Sequence, residues 1–171
     1  MEQNATHFAA PGAAAPDLPV LDYLRRQLAG TLEPGHRTPM RYPTAISRLL
    51  GFEIVEVGAG TATLRVLADT DLHGNQQGTV HGGFLVELAD AAIGTARSTL
   101  VGPGESFTSI DLKATFLRPA WTGELLARAH PTHSGRTLTH YACEISRPDG
   151  KPVATVTSAV MTLRGDEAAG R

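Results

Sequence analysis

The residues most able to do chemistry in this sequence are a histidine and two glycines, His81-Gly82-Gly83, placed where a loop enters a predicted helix. Backbone N–H groups in the first turn of a helix have no intrahelical acceptor, and the helix dipole favours negative charge beside them. Glycine lets a second molecule approach that backbone closely. The segment could therefore donate hydrogen bonds to the oxygen of a carbonyl group under attack, as an oxyanion hole does.

A carboxylate, Asp90, follows nine residues after the histidine within the same predicted helix. It lies about two turns from Gly82, too far for both groups to act on one bond within a single chain. A carboxylate partly desolvated at an apolar interface has a raised pKa and can act as a general base or as a nucleophile. A catalytic Asp90 therefore predicts a homodimer with shared sites. The alternative interpretation is that the glycines only shape a turn, and that Asp90 lies on a solvated face with Glu87 and Arg97.

Hydrophobic periodicity predicts the elements that position these groups. Two strand patterns, beginning at Phe52 and at Ala62, precede a loop over 69–78 and one long helix over 80–100. The face of this helix expected to meet the core carries Leu85, Leu88, Ala92 and Ala96. Four further strand segments follow, over 106–118, 124–133, 137–146 and 153–163. This order predicts an α+β protein in which a curved antiparallel sheet wraps around one long central helix.

The chain is predicted to divide into four regions. Residues 1–16, rich in Ala, Pro and Gly, are expected to be a disordered tail. Residues 17–50 carry two short helical patterns and predict a helical extension packed on the domain, with Asp17 as the N-cap of its first helix. The main domain is assigned to 51–164, and 165–171 to a flexible C-terminal tail.

Composition excludes several classes of protein. The chain has 171 residues, 42% of them hydrophobic, which is enough for one domain with its own core. A formal charge of -2 argues against nucleic-acid binding, and no apolar run approaches the ~20 residues of a membrane span. The first residues lack the features of a signal peptide, which predicts a cytoplasmic protein. The single cysteine, Cys143, excludes a disulfide framework and is expected to pack as a small hydrophobic residue.

Four segments resemble a known family: Gly78-Thr79-Val80-His81-Gly82-Gly83, Leu88-Ala89-Asp90-Ala91-Ala92-Ile93-Gly94, the stretch from Ser109 to Ala120, and Gly135-Arg136-Thr137. They resemble the acyl-CoA thioesterases of the hot-dog fold, over about Phe52 to Leu163. The likeness is strongest to the branch that includes the phenylacetate-pathway thioesterase, the mammalian thioesterase-superfamily member 2 and the Arthrobacter-type 4-hydroxybenzoyl-CoA thioesterase. Arthrobacter-type enzymes carry glutamate where this chain has Asp90 and threonine where it has Gly94, so the sequence is nearer to the aspartate-bearing members.

The resemblance implies a role for each matching residue. Asn75 would help to place the attacking water or the thioester, and His81 would open the helix and order its loop. The Gly82 N–H would polarise the thioester carbonyl, and Asp90 would be the catalytic carboxylate, contributed across a dimer interface. Ser109 would position the water.

Substrate binding is assigned to a second group of residues: Gly83, Arg118, Arg136 and Thr137. The resemblance suggests that Arg136 binds a phosphate of coenzyme A, and Arg118 is a second candidate. Arginine binds phosphates well, although each of the two could equally be a solvated arginine. His130, His133 and His140 are expected to be ordinary surface or interface histidines, because no carboxylate or cysteine completes a metal site. The sequence therefore predicts no metal and no cofactor.

The predicted function is hydrolysis of an aromatic or medium-chain acyl-CoA to free acid and coenzyme A. Two alternatives on the same fold are a non-catalytic acyl-CoA sensor and a hydratase/dehydratase. The resemblance also implies that the homodimer assembles into a homotetramer. The acyl group, and the choice between nucleophile and general base for Asp90, stay open.

Overall fold

A single antiparallel sheet of seven strands wraps around one long helix in the computed structural model, which describes residues 17–169. The strands are β1 (Glu53–Gly58), β2 (Thr61–Ala68), β3 (Glu105–Ser109), β4 (Lys113–Phe116), β5 (Gly123–Ser134), β6 (Leu138–Ser146) and β7 (Pro152–Arg164). Their order is β1-β2-β5-β6-β7-β3, with β4 also paired to β7. The helices are α1 (Val20–Leu28), α2 (Ala45–Leu50), α3 (Thr70–His73) and α4 (Gly82–Ser98), with a final 3-10 turn at Gly165–Ala168.

This architecture is the hot-dog fold, and it confirms the predicted fold class. The predicted tail over 1–16 lies outside the described residues. Among residues 17–169, no helix is long and apolar enough to cross a bilayer.

The core lies between α4 and the concave face of the sheet. The four α4 residues predicted to face it are all buried, together with strand residues such as Leu64, Leu125 and Ile145. Burying a side chain of this size contributes about 1.5–3 kcal/mol, so the contact between helix and sheet dominates the stability of the domain. It also fixes the axial position of α4, and with it the position of Gly82 and Asp90.

The start of α4 is later than the sequence predicts. Val80 stays extended, because its N–H donates to the Ala120 carbonyl at 2.9 Å and it forms an isolated β-bridge with Gly74. The His81 N–H donates to the His73 carbonyl at 2.8 Å, and His81 is the N-cap residue. These bonds to the preceding loop and to the segment before β5 place the first free turn of the helix at Gly82.

The predicted loop over 69–78 contains the short helix α3. The Asp69 side chain accepts a hydrogen bond from the Asp71 N–H at 2.9 Å and caps this helix. The helix ends at Gly74, where an added Cβ would lie 2.1 Å from the Thr70 carbonyl oxygen. Glycine is therefore required at this position for the chain to leave α3 and reach Asn75.

The predicted strand over 106–118 is interrupted at residues 110–112 and forms two strands, β3 and β4. Asp111 causes the break: its Oδ1 accepts the Ala159 N–H of β7 at 2.8 Å, and its carbonyl accepts the Ser158 hydroxyl at 2.8 Å. A side chain thus replaces the main-chain partner that a continuous strand would offer. The alternation of apolar residues does not reveal this, since it continues through the break.

The segment 17–51 packs helices α1 and α2 against the domain. Helix α1 begins at Val20 without a side-chain cap, whereas Asp17 forms an isolated bridge with Arg37, so the predicted Asp17 N-cap is wrong. Pro19 sets the helix start instead, and Leu24 buries the inner face of α1. Helix α2 is capped by the Thr44 hydroxyl, which accepts the Ser47 N–H at 3.1 Å.

Candidate active site

His81 organises the first turn of α4. Its Nδ1 accepts the Gly83 N–H at 2.9 Å, and its carbonyl accepts the N–H groups of Phe84 and Leu85 at 3.1 and 3.3 Å. An Nδ1 that accepts a hydrogen bond carries no proton, so the neutral ring has its proton on Nε2. These bonds leave the Gly82 N–H without an acceptor among residues 17–169. It is therefore the free donor of the turn.

The Gly82 N–H lies beside a cleft of about 440 Å³ that also contains Asn75, Phe116 and Arg118. A Cβ at Gly82 would lie 2.9 Å from Cζ of the Phe116 ring, so any side chain there would have to displace this ring. Phe116 is 55% exposed, which is unusual for an aromatic residue at the end of a strand. The alternating apolar pattern places Phe116 at the end of a strand, but it does not show that the ring lies beside Gly82.

The Asn75 side chain organises the loop that enters the cleft. Its Oδ1 accepts the N–H groups of Gln77 and Thr79 at 2.9 and 3.3 Å, and its Nδ2 donates to the Thr79 hydroxyl at 3.0 Å. An amide nitrogen has two hydrogens, so Nδ2 retains one donor for a ligand. The side chain thus both shapes the loop and offers a donor near Gly82.

Asp90 lies in a different groove, of about 320 Å³. The Ser109 hydroxyl at the end of β3 donates to Asp90 Oδ1 at 3.3 Å. Burial raises the pKa of the half-buried Asp90 carboxyl above its usual range, and the hydrogen bond from Ser109 opposes this rise. Glu87, one turn earlier, lines the same groove, so the expectation that it shares a face with Asp90 is met. Burial and the negative charge of Asp90 also raise the pKa of Glu87.

The structure therefore does not bring Gly82 and Asp90 together within one chain. The two residues are eight positions apart on α4, a rise of about 12 Å along the helix axis. Each lines its own surface depression, Gly82 together with Asn75 and Asp90 together with Glu87. A single chain therefore has the predicted oxyanion donor in one depression and the predicted catalytic carboxylate in the other.

Arg97 does not share a solvated face with Asp90, so this part of the alternative interpretation is wrong. Arg97 is 6% exposed, and its Nη2 donates to the Thr162 hydroxyl of β7 at 2.6 Å. The whole last turn of α4 is buried, because β7 covers it on one side and Tyr42 reaches Ser98 on the other. Asp90, in contrast, stays half-buried and lines an open groove.

The residues predicted to bind coenzyme A separate into two places. Arg118 lines the Gly82 cleft and donates from Nη1 to the Pro152 carbonyl at 2.8 Å, which leaves the rest of its guanidinium available. The Gly83 N–H donates to His81 Nδ1 and is therefore not free to bind a ligand. Arg136 and Thr137 lie in the exposed turn between β5 and β6, where the Thr137 carbonyl accepts the Thr162 N–H at 2.8 Å.

His133, His140 and Cys143 lie outside both the Gly82 cleft and the Asp90 groove. No group of three His, Cys, Asp or Glu side chains in the described chain could hold a metal ion. His133 and His140 are exposed, with ring centroids 6.3 Å apart. Cys143 is buried, and burial raises the pKa of its thiol to about 12, so it stays protonated and unreactive at neutral pH.

Comparison with known proteins agrees with this fold. The profile of the Thioesterase superfamily matches residues 77–154, a span that contains both Gly82 and Asp90. A provisionally named esterase of Deinococcus radiodurans is 33% identical over 134 residues, which cover 77% of this chain and 87% of that protein. A 1,4-dihydroxy-2-naphthoyl-CoA hydrolase of Listeria monocytogenes is 29% identical over 103 residues, covering 59% of this chain and 81% of the relative.

Among solved structures, the PaaI protein of E. coli, from the phenylacetic acid degradation operon, superposes with a TM-score of 0.66 at 27% identity. The match covers 72% of this chain and 87% of that one. Fold and relatives together define a thioester hydrolase of the hot-dog type. The chain belongs to the thioesterase superfamily.

Proposed function

We propose that the protein hydrolyses acyl-CoA thioesters at two sites shared between the subunits of a homodimer. In each site the Gly82 N–H of one subunit would face Asp90 of the partner subunit. The observation that supports this most strongly is the separation of the two groups along α4, in two different depressions of the chain. Juxtaposing two antiparallel copies of the helix is the simplest way to unite a free donor with a desolvated carboxylate.

The chemistry follows from the two groups. As a general base, Asp90 takes a proton from water while the water oxygen attacks the thioester carbonyl carbon. The carbonyl oxygen becomes an oxyanion, to which the Gly82 N–H donates. Collapse of the tetrahedral intermediate breaks the C–S bond and expels the thiolate of coenzyme A, which the proton on Asp90 neutralises. As a nucleophile, Asp90 would instead attack the carbonyl carbon through a carboxylate oxygen, and the C–S bond would break as coenzyme A leaves as its thiolate. Water then hydrolyses the resulting mixed anhydride, which releases the acid and restores the carboxylate, and the proton set free neutralises the thiolate.

Each of the other assigned residues has a place in this scheme. Asn75 and His81 would hold the loop and the helix turn around the thioester, and Ser109 would orient the Asp90 carboxylate or its water. Arg118 and Arg136 would bind phosphates of coenzyme A, with Gly83 and Thr137 beside them. Arg118 is the better supported of the two arginines, because it lines the same cleft as Gly82.

The exposed apolar residues around β4 support the dimer. Ile110, Leu112, Phe116 and Leu117 are between 38% and 55% exposed, although they are large and close in sequence. The stretch borders the Gly82 cleft through Phe116 and Leu117. A second copy of the chain that covered it would bury the apolar surface next to the proposed site. The proposal also includes the assembly of two such dimers into a homotetramer. It places the protein in the cytoplasm.

An aromatic or medium-chain acyl group is the proposed substrate class. The hydrolase of Listeria monocytogenes is named for a naphthoyl-CoA, and the E. coli protein comes from a phenylacetic acid operon. The direct test is release of free coenzyme A thiol from benzoyl-, phenylacetyl-, hexanoyl- and acetyl-CoA. Thiol release from at least one of them is expected. Tight binding of acyl-CoA without thiol release would instead identify a non-catalytic sensor.

A further inference from the structure

The segment between α1 and α2, together with the first turn of α2, forms one wall of the groove that contains Asp90. Met40, Tyr42 and Ile46 line the groove on one side, and Asp90 and Gly94 of α4 line it on the other. Phe107 of β3 lies in the same lining. The wall therefore comes from the same chain as the carboxylate, but from outside the sheet and helix that make up the fold.

This wall is fixed to α4 rather than loosely draped over it. The Ser98 hydroxyl donates to the Thr95 carbonyl, so the Tyr42 hydroxyl is the donor in its hydrogen bond to Ser98. Thr44 then caps α2 through the Ser47 N–H at 3.1 Å, which sets the start of the helix that carries Ile46. A wall that is hydrogen-bonded to α4 through Tyr42 and continues into a capped helix can limit the size of a ligand.

Gly94 keeps the groove open at its helix side. It follows Asp90 by one turn, and a Cβ placed on it would meet only Cε2 of Phe107, at 4.0 Å. The space above it is therefore part of the groove and is not filled by the chain. An acyl chain begins at the carbon that Asp90 or its water would attack, so the space next to Asp90 is where an acyl group fits.

We infer that Met40, Tyr42 and Ile46 set the size of the acyl group that the enzyme accepts. The inference rests on the proposed function and assigns specificity to the N-terminal extension. A groove of about 320 Å³ lies at the lower end of the range typical of small-ligand sites, ~300–1,000 Å³. It suits a single aromatic ring or a short to medium aliphatic chain, whereas a long fatty acyl chain would meet the wall.

The experiment measures kcat/KM for straight-chain acyl-CoAs from two to twelve carbons, and for benzoyl- and phenylacetyl-CoA. Ile46→Trp narrows the groove, and Met40→Ala widens it. The matched control is Leu49→Trp, on the same short helix, where the side chain is 76% exposed and outside the groove. Thermal melting of each variant shows whether the fold is kept.

Ile46→Trp is expected to lower kcat/KM for the largest accepted acyl group at least ~10-fold more than for acetyl-CoA, since a mismatch of one methylene already costs ~10–200-fold. Met40→Ala should move the optimum to longer chains, and Leu49→Trp should keep the wild-type profile. Coincident profiles for all four folded proteins would overturn the inference while leaving the thioesterase function intact. Absence of hydrolysis by the wild type across the panel would refute the proposed function and the inference with it.

Discussion

Asp90 is a half-buried carboxylate that receives one hydrogen bond from a neutral hydroxyl, and among the described residues no cation pairs with it. Burial therefore dominates its electrostatics and raises its pKa. A carboxylate whose pKa is raised by burial is a stronger base than a solvated carboxylate. It also costs stability, because the folded protein must keep a charge in a poorly solvated place at neutral pH.

Replacing Asp90 by Asn removes the base or nucleophile and keeps the shape of the side chain. We expect turnover to fall about 100-fold or more, the scale of losing a general base or a nucleophile. The measurement is thiol release at saturating acyl-CoA.

Glu87→Gln is the matched control, since Glu87 lines the same groove. Glu87→Gln should retain most of the turnover. If Glu87→Gln lost activity and Asp90→Asn did not, the chemistry would belong to Glu87 and not to Asp90.

The melting temperature of Asp90→Asn should equal or exceed that of the wild type at neutral pH. The folded pKa of Asp90 is raised, so the cost of its charge is absent at low pH and present in full above that pKa.

Ser109→Ala tests the hydrogen bond to Asp90. The hydroxyl stabilises the ionised carboxylate, so its loss should raise the pKa of Asp90 further. The working form is deprotonated, and the acidic limb of the pH–kcat/KM profile should therefore move to higher pH. Thr108→Ala, on the same strand but on its other face, should leave the limb in place. An unshifted limb in Ser109→Ala would show that Asp90 does not control it.

At this scale the sequence named candidate residues but could not define all of their surroundings. The family resemblance implied that His81 opens the helix, and the structure shows His81 at the N-cap of α4, whereas periodicity alone started the helix at residue 80. Phe116 could not be placed beside Gly82 by the same reasoning, because its role depends on the face of the chain on which the cleft opens. The burial of Arg97 was not predictable either, because β7 and Tyr42, which cover the last turn of α4, are distant from it in sequence.

Helix α4 is the element on which the whole site depends. Its buried face locks it into the sheet, its first turn carries the free N–H, and its middle carries the carboxylate. The loop before it adds Asn75, whose three hydrogen bonds keep the loop beside the Gly82 cleft.

Two substitutions of Asn75 separate the shape of this loop from its chemistry. Asn75→Ala removes all three hydrogen bonds of the side chain, whereas Asn75→Asp keeps the acceptor for Gln77 and Thr79 and removes only the donor. If the amide contacts the thioester or its water, both variants should lose activity while melting close to the wild type, because the loop lies outside the core.

Full activity in Asn75→Asp would limit this residue to ordering the loop.

The elements themselves were largely predictable from periodicity, as α4 and five of the seven strands show. The break between β3 and β4 was not, because a carboxylate can take over a strand hydrogen bond without altering the apolar pattern.

For the whole molecule, the proposal requires that an active site be built from two chains. Two inactive variants test it: Asp90→Asn, and Gly82→Leu, in which the added side chain would displace Phe116 and fill the cleft. When equal amounts are mixed and allowed to exchange subunits, half of the dimers should be mixed. Each of these would have one working site, so thiol release should recover to about a quarter of the wild-type rate.

Failure to recover activity after proven subunit exchange would reject the shared site. Sedimentation of the wild type as a monomer at the concentrations of the assay would reject it as well. The dimer was a sequence-level expectation derived from helix geometry. The structure adds the exposed apolar stretch at residues 110–117, but periodicity alone could not show that this stretch stays uncovered.

The rise of about 12 Å between Gly82 and Asp90 has a kinetic consequence that applies to any shared site. A lone chain would have two incomplete half-sites, so the rate per chain would depend on the law of mass action. Below the dissociation constant of the dimer, total velocity should rise with the square of the protein concentration, whereas above it velocity should rise linearly. A dilution series with one acyl-CoA substrate would therefore report the dimer dissociation constant from enzyme rates alone.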